Sequence, residues 1–326
     1  MELLPDFELI RPTDIEDAAR AGAQEGARFI SGGTDLMPNM RRGLEAPQSL
    51  VDLSCLEQLR RIEETDGGLR VGGGVTLQQL IADPHIQADY KVVADAAETI
   101  AGTTHRSSAT VGGNLCLDTR CQFYNQSEWW RGANGYCLKY GGEICHVANN
   151  SKICLAAFSG DLAPVLMLHD ARVELVSPGG SRNIALRELY QEDGADSLVL
   201  APGELLASIT LQKLENYRSA YRKVRVRGGI DFPLVGVAMA VRGSASNLED
   251  IRVALTGTNP RPVALEGTAE LAGKGMDATA LKVLEKLVRS QTKPMRSTFT
   301  PGPYRSKVVV NVVRRMVADL LDSGGS

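Results

Sequence analysis

The sequence of 326 residues predicts a mixed α and β protein built from two globular units. Three observations lead to this prediction. Helix and strand patterns alternate up to about residue 114 and again after residue 155. The segment between them, rich in glycine, aromatic residues and cysteine, has no regular period. A boundary near Asn216 separates the first unit, 1–216, from a second unit, 217–326, which ends in an amphipathic helix.

The composition argues against several classes of protein. With 43% hydrophobic and 23% charged residues, the chain can bury a sizeable core and is not disordered. Its 36 Lys and Arg residues against 39 Asp and Glu residues lack the basic excess of a nucleic-acid-binding protein. No run reaches the roughly 18 apolar residues of a membrane span, and the N-terminus lacks the order of a secretory signal. We therefore expect a cytoplasmic protein that binds neither nucleic acid nor a membrane.

The elements follow from hydrophobic period and from capping residues. The first segments predict a strand, then an Ala-rich helix with Thr13 or Asp14 as its N-cap, then an apolar strand that runs into glycines. Thr76 opens a short helix, and Gly102 is the predicted end of a longer one. The remaining predicted elements are strands at 49–54 and 68–77, a helix and a strand within 162–178, a strand at 205–214, strands from 219, and the helix 304–323.

Two glycine tracts follow β-branched or apolar residues. The first is 31–35, Ser-Gly-Gly-Thr-Asp, and the second is 109–115, which contains Gly113 and Asn114. Adjacent glycines allow backbone N–H groups to converge on a diphosphate, although a tight turn explains the first tract equally well. The sequence has no Gly-x-Gly-x-x-Gly of the Rossmann type. Any dinucleotide bound here would therefore need a different scaffold.

Five of the six cysteines lie between residues 116 and 154. In a chain that looks cytosolic, such a cluster favours a metal centre over disulfides. Long loops without regular structure are uncommon unless they are functional, so we expect a metal to organise this segment. The spacings between the five cysteines, four, fifteen, seven and eight residues, match neither a zinc finger nor a ferredoxin.

Four segments, in this order, resemble the FAD-binding subunit of the molybdenum hydroxylase (xanthine oxidase) family: 29–37, 101–115, 159–168 and 221–241. The resemblance covers essentially the whole chain. It implies an α+β fold: a two-lobed FAD-binding domain of the vanillyl-alcohol-oxidase type, with the lobe boundary near residue 55, followed by a smaller α+β domain. One FAD, bound without a covalent link, would lie between the lobes.

The resemblance also implies a set of cofactor-binding residues. The stretch 29–36 would wrap the diphosphate, and Asp161 would bind the adenosine side. Leu206 and Lys223 would lie near the isoalloxazine ring. The residues that would face the flavin from the second lobe are Ala101, His105, Ala109, Thr110, Gly113 and Asn114. Two simpler interpretations remain open, because Asp161 could cap a helix and Lys223 could be a solvated strand residue. The full set is Phe29, Ile30, Ser31, Gly32, Gly33, Thr34, Asp35, Leu36, Ala101, His105, Ala109, Thr110, Gly113, Asn114, Asp161, Leu206 and Lys223.

An insertion of about forty residues, 117–156, departs from the usual family pattern. It contains Cys121, Cys137, Cys145 and Cys154, whereas Cys116 follows the second glycine tract and is expected in the flavin wall. Four thiolates can bind zinc or a [4Fe–4S] cluster. The segments 120–131, 136–147 and 152–154 resemble the insertion of the 4-hydroxybenzoyl-CoA reductase β subunit, which carries FAD and one [4Fe–4S] cluster, so we expect the cluster. His146 is not expected to be a ligand.

We therefore expect an electron-transfer subunit without catalytic residues of its own. The resemblance implies a molybdopterin-binding large subunit and a [2Fe–2S] small subunit as partners, in a dimer of heterotrimers. In the reductase interpretation, a ferredoxin-type donor supplies electrons through the cluster and FAD, and the partner converts 4-hydroxybenzoyl-CoA to benzoyl-CoA. Two alternatives remain: a subunit of an aldehyde- or N-heterocycle-oxidising dehydrogenase, and a zinc-stapled scaffold.

Overall fold

The computed structural model describes residues 4–296 and 298–322. Its first lobe is a small parallel sheet with strand order β1-β3-β2 and two helices. Asp14 caps the first helix by accepting a hydrogen bond from the backbone N–H of Asp17 at 2.7 Å, as one of the two predicted caps. The elements are β1 (Glu8–Ile10), α1 (Ile15–Gly22), β2 (Ala27–Ile30), α2 (Leu36–Arg41) and β3 (Ser49–Asp52).

The second lobe is a five-stranded antiparallel sheet with strand order β4-β5-β8-β6-β7. Helices pack on this sheet and form the largest hydrophobic core of the protein. The strands are β4 (Ile62–Thr65), β5 (Gly68–Gly72), β6 (Arg172–Ser177), β7 (Gly180–Ala185) and β8 (Leu205–Leu211). The helices from here to β6 are α3 (Leu77–Ala82), α4 (Pro84–Asp89), α5 (Lys91–Glu98), α6 (Thr103–Arg106), α7 (Val111–Leu115), α8 (Glu128–Ala133) and α9 (Leu162–Leu168).

One predicted helix end agrees with the structure and another does not. Helix α3 begins at Thr76 as predicted, with a capping box between Thr76 and Gln79. By contrast, α5 ends at Glu98, and Gly102 instead precedes α6. The carbonyl of Thr99 accepts hydrogen bonds from the side chains of Lys223 and Arg225, at 3.1 and 3.0 Å. A distant strand thus satisfies the carbonyl at the end of the helix, which no local signal could indicate.

The C-terminal domain is an antiparallel sheet that is buried on both faces. Alternate residues of its central strand point to opposite faces: Val237 and Met239 join one core with the terminal helices, and Ala238 and Ala240 join the core of the second lobe. The elements are β9 (Arg218–Val224), β10 (Val235–Gly243), β11 (Leu248–Thr256), β12 (Val263–Ala264), α10 (Ala278–Gln291) and α11 (Gly302–Asp322). None of the helices in the described ranges is long and apolar enough to cross a membrane.

The insertion has more internal order than its sequence suggests. It contains α8 and a short 3-10 helix, Leu138–Tyr140, and an antiparallel bridge between Arg120 and Ala157 closes its base. The buried guanidinium of Arg131 donates hydrogen bonds to the carbonyls of Gly43 and Gln126 and pairs with Glu128. A buried arginine thus gives the segment internal order and ties it to the first lobe, and the metal centre stays a prediction.

Candidate functional site

A single cleft of about 1000 Å³ lies between the first lobe, the second lobe and the loop after β9. This volume is at the upper end of the range for small-molecule and cofactor sites. All seventeen residues predicted to bind the cofactor line this cleft, although they come from both lobes and from the C-terminal domain. The fold therefore brings together residues that are far apart in the sequence.

The loop between β2 and α2 forms the first wall of the cleft. Gly33 has φ +65°, a left-handed conformation that favours glycine. A Cβ atom on Gly32 would lie 1.9 Å from the carbonyl oxygen of Ser108, so this glycine lets the two lobes touch. The two glycines therefore meet different requirements: Gly33 adopts a left-handed conformation, and Gly32 allows close contact between two backbone segments.

Helix α7 and the turn before it form the second wall. The Thr110 hydroxyl accepts a hydrogen bond from the backbone N–H of Gly113 at 3.2 Å, which shapes this wall. The side-chain oxygen of Asn114 accepts from the backbone N–H of Leu162 at 3.1 Å, so Asn114 satisfies the start of α9. The Nδ1 atom of His105 is buried without a hydrogen-bond partner. Such an orphaned polar atom in a cleft fits a site that holds a polar ligand.

Asp161 and Lys223 form a buried ion pair in the same cleft. Nζ of Lys223 lies 2.9 Å from Oδ2 of Asp161, and the two side chains are only 3% and 4% exposed. The hydroxyl of Tyr221 donates to the other oxygen of the same carboxylate at 2.6 Å. Burial raises the pKa of Asp161, against the opposing effect of the Lys223 ammonium group.

This pair decides between interpretations that the sequence left open. The Asp161 side chain makes no capping hydrogen bond to α9, and Lys223 is not a solvated strand residue. The two groups touch, so the cleft presents them to a ligand as one pair. The assignment of Asp161 to the adenosine side and of Lys223 to the isoalloxazine ring stays a prediction.

Sequence reasoning missed the wall that comes from the loop after β9. Arg227, Ile230 and Phe232 of this loop line the cleft. Ile230 has φ +47°, and its N–H donates to the carbonyl of Ala101, which has φ +46°. Left-handed backbone at residues other than glycine is uncommon, and here two such residues join distant segments at the cleft. The glycines before Ile230 were the available signal for a loop.

The four cysteines of the insertion surround one small cavity beside the cleft. Cys121, Cys137, Cys145 and Cys154 are each 4–8% exposed and form no disulfide. Cys116 instead lines the cofactor cleft. Burial raises the pKa of Cys154 to about 12 and also raises that of Cys121, so metal binding here must displace protons.

The cavity does not contain a preformed site for a single ion. Among residues 4–296 and 298–322, no three His, Cys, Asp or Glu side chains lie together in a way that could hold a metal ion. His146 lines the cavity, but its Nε2 lies 2.7 Å from the carbonyl oxygen of Tyr136. Tyr124 and Lys139 line both the cavity and the cleft, so they form part of the wall between them.

Comparisons with known proteins agree with this architecture. Residues 5–212 match the FAD binding domain in molybdopterin dehydrogenase, and residues 219–320 match the CO dehydrogenase flavoprotein C-terminal domain. The chain is 34% identical to the aldehyde oxidoreductase FAD-binding subunit PaoB of Escherichia coli K12 over 297 residues, which cover 88% of this chain and 91% of that protein. It is 27% identical to the carbon monoxide dehydrogenase medium chain of Afipia carboxidovorans, with 95% of each chain covered.

A solved structure supports the same relationship. The reconstituted CO dehydrogenase from Oligotropha carboxidovorans contains a chain that superposes with a TM-score of 0.80 at 26% identity, covering 98% of this chain and 99% of that chain. The fold is therefore the expected two-domain FAD-binding fold. The chain belongs to the FAD-binding medium subunits of the molybdenum hydroxylase family of oxidoreductases.

Proposed function

We propose that this chain is the electron-transfer subunit of an aldehyde-oxidising molybdenum dehydrogenase, with FAD in the cleft and a [4Fe–4S] cluster in the cysteine cavity. The observation that carries the proposal is that four buried cysteines surround one cavity, which shares Tyr124 and Lys139 with the cofactor cleft. A subunit that only bound FAD would not need this second cavity.

Residues of all three walls would hold the FAD. The loop 29–36 would bind the diphosphate, while the buried Lys223 would provide a fixed cation for the isoalloxazine ring. His105 offers a buried nitrogen without a partner in the protein. Bound FAD would supply the storage of two electrons and their transfer one at a time. The residues of the cleft would exclude water and fix the cofactor in one orientation.

The cysteine cavity would hold the cluster through four thiolates. One zinc ion bound at about 2.3 Å to four sulfurs would hold them ~3.8 Å apart, whereas a [4Fe–4S] cluster attaches each thiolate to a different iron and needs a wider set. The absence of a preformed single-ion site in the described residues is compatible with the wider set. A cluster would supply one-electron transfer beside the flavin. Cys116 would remain a protonated thiol in the cleft, because burial raises its pKa to about 12.

The names of the relatives support one direction of electron flow. The similar proteins include an aldehyde oxidoreductase subunit and carbon monoxide dehydrogenase medium chains. By analogy, electrons would leave the substrate at the molybdenum of a large partner subunit and pass outward to a one-electron carrier such as a ferredoxin. We also propose a [2Fe–2S] small subunit as the third chain, in a dimer of heterotrimers.

The reductase interpretation is a second candidate. It rests on the four-cysteine insertion, whose segments 120–131 and 136–147 resemble that of the 4-hydroxybenzoyl-CoA reductase β subunit. Flow would then run inward, towards the molybdenum. The names of the similar proteins favour the oxidising candidate.

Spectroscopy and iron analysis of the anaerobically purified complex test the cofactors. We expect non-covalent FAD together with about four irons and four acid-labile sulfides beyond those of the partner clusters. Cys137→Ser should lose these four irons, and the matched control Cys116→Ser should keep them. Full iron retention in Cys137→Ser, or zinc without the extra iron, would contradict the cluster. Flavin that stays with the acid-precipitated protein would contradict non-covalent binding.

Two assays on the same complex test the direction. The first measures reduction of an artificial one-electron acceptor with a panel of aliphatic and aromatic aldehydes. The second supplies reduced ferredoxin and 4-hydroxybenzoyl-CoA and measures benzoyl-CoA. We expect turnover only in the first assay. Benzoyl-CoA formation without aldehyde oxidation would reject the oxidising candidate and establish the reductase.

A further inference from the structure

Arg120 lies at the base of the insertion, between the two cavities. Its backbone N–H and carbonyl group exchange hydrogen bonds of 2.7 and 2.8 Å with Ala157, which closes the inserted segment. Successive residues of extended backbone point to opposite sides. Accordingly, the side chain of Arg120 lines the cofactor cleft, and that of Cys121 lines the cysteine cavity.

The guanidinium of Arg120 contacts two other walls of the cleft. It forms an ion pair with Asp35, and its Nη1 donates to the side-chain oxygen of Asn39 at 3.3 Å. Its Cζ lies 4.7 Å from the centre of the Phe232 ring, on the loop after β9. One side chain of the insertion thus joins the loop at the start of α2 to a loop of the C-terminal domain.

This arginine is buried and only partly paired. The side chain is 11% exposed, and its Nε is buried without a hydrogen-bond partner among the residues that the structure describes. A guanidinium keeps its charge at neutral pH, so Arg120 places a buried cation on the cleft wall, where it can attract an anionic group of a ligand.

Asp35 presents an electrostatic problem for a diphosphate. It belongs to the loop 29–36, which would wrap the phosphates under the proposed function, and its carboxylate would repel them. Arg120 neutralises that carboxylate and adds a cation to the same wall. The other cleft-lining arginines of the first lobe, Arg28 and Arg42, are exposed. They cannot provide an equally desolvated charge.

We propose that Arg120 is an FAD-binding residue contributed by the insertion: it neutralises Asp35 and supplies positive charge to the diphosphate of the cofactor. This inference rests on the assignment of the loop 29–36 to the diphosphate. The inserted segment is then part of the flavin site itself, as well as the wall of the cysteine cavity.

The test measures the dissociation constant of FAD from the full chain in its complex, after removal and re-addition of the flavin. Arg120→Gln should weaken binding at least about tenfold, because it leaves Asp35 unpaired beside two phosphates. Asp35→Asn should bind FAD at least as tightly as the wild type. The double variant Arg120→Gln/Asp35→Asn should bind FAD within about threefold of the wild type, because it removes the attractive and the repulsive charge together. Arg41→Gln, an exposed charge outside the cleft, is the control and should change nothing.

Fluorescence monitors the folding of the insertion, since both tryptophans of the chain, Trp129 and Trp130, lie in it. Wild-type affinity in Arg120→Gln, or a double variant that binds FAD as weakly as Arg120→Gln alone, would overturn the inference. A changed tryptophan emission in Arg120→Gln would mean that the substitution disturbs the insertion. In that case Asp35→Asn is the test, and weaker FAD binding in that variant would show that Asp35 does not repel the diphosphate and would reject the neutralising role of Arg120. Gly33→Val separates the role of Arg120 from the assignment of the loop 29–36 to the diphosphate. If Gly33→Val keeps FAD, the assignment of the loop is wrong. If Gly33→Val loses FAD while Arg120→Gln binds it fully, only the role of Arg120 is rejected.

Discussion

Replacing Lys223 by methionine breaks the buried ion pair at the cleft. Methionine keeps the length of the side chain and removes its charge. The carboxylate of Asp161, which is 2% exposed, then keeps only the hydrogen bond from Tyr221. The change also removes the ammonium group that binds the carbonyl of Thr99 at the end of α5. The second lobe and the C-terminal sheet therefore lose a shared contact.

The expected cost in the free energy of unfolding is about 3 kcal/mol at neutral pH. Removing one partner of a buried pair costs roughly 3–5 kcal/mol, and the remaining Tyr221 bond favours the lower figure. The pKa of Asp161 is already raised by burial and should rise further. A carboxyl with a raised pKa binds more protons in the folded state than in the unfolded state, so the defect should shrink as the pH falls below the folded pKa.

Denaturant unfolding followed by circular dichroism measures this cost, with the FAD content as a second readout. Lys213→Met is the matched control, because Lys213 forms an exposed pair with Asp89 at 2.6 Å, and solvent screens such a pair so that its loss should change the stability little. The double variant Lys223→Met/Asp161→Asn should recover most of the stability, since no charge is left unpaired. A cost for Lys223→Met no greater than for Lys213→Met, or a double variant as unstable as the single one, would refute the reasoning.

Three further predictions concern backbone strain, pH and the C-terminal domain. Gly33→Val should lose FAD and cost ~2 kcal/mol, because a β-branched residue must adopt φ +65°; unchanged FAD content and unfolding midpoint would contradict it. Burial lowers the pKa of His169 to about 4, so the unfolded state binds the extra proton between pH 6.5 and 4. As the pH falls from 6.5 to 4, the free energy of unfolding should fall by ~3 kcal/mol. The same measurement on His169→Gln should show a correspondingly shallower pH dependence. The buried Arg305 donates to the carbonyls of Leu234, Gly257 and Met295. Arg305→Lys should lower the free energy of unfolding by ~2 kcal/mol, because an ammonium group cannot reach three carbonyl groups as the planar guanidinium does. An unfolding midpoint equal to that of the wild type would show that these hydrogen bonds do not stabilise the domain.

The sequence by itself determined the features that depend on neighbours along the chain. Thr76 caps α3 through a residue three positions later, and Asp14 caps α1 in the same way. Such bonds form within one turn, so a short pattern is enough to indicate them. The glycine tracts and the cysteine-rich insertion were likewise visible as local composition. The segments that resemble the family then indicated which residues would share the cleft.

Only the tertiary structure decided how those residues are used. Asp161 and Lys223 are 62 residues apart, and their ion pair brings both side chains together in the cleft. Gly32 proved to be a contact between lobes, and Arg120, which no pattern had singled out, reached Asp35 from the insertion. Helix α5 ends at Glu98, and the carbonyl of its C-cap residue Thr99 is bound by Lys223 from a strand far along the chain. Pairing across such distances depends on which surfaces the fold brings together, and hydrophobic period and local capping carry no information about that choice.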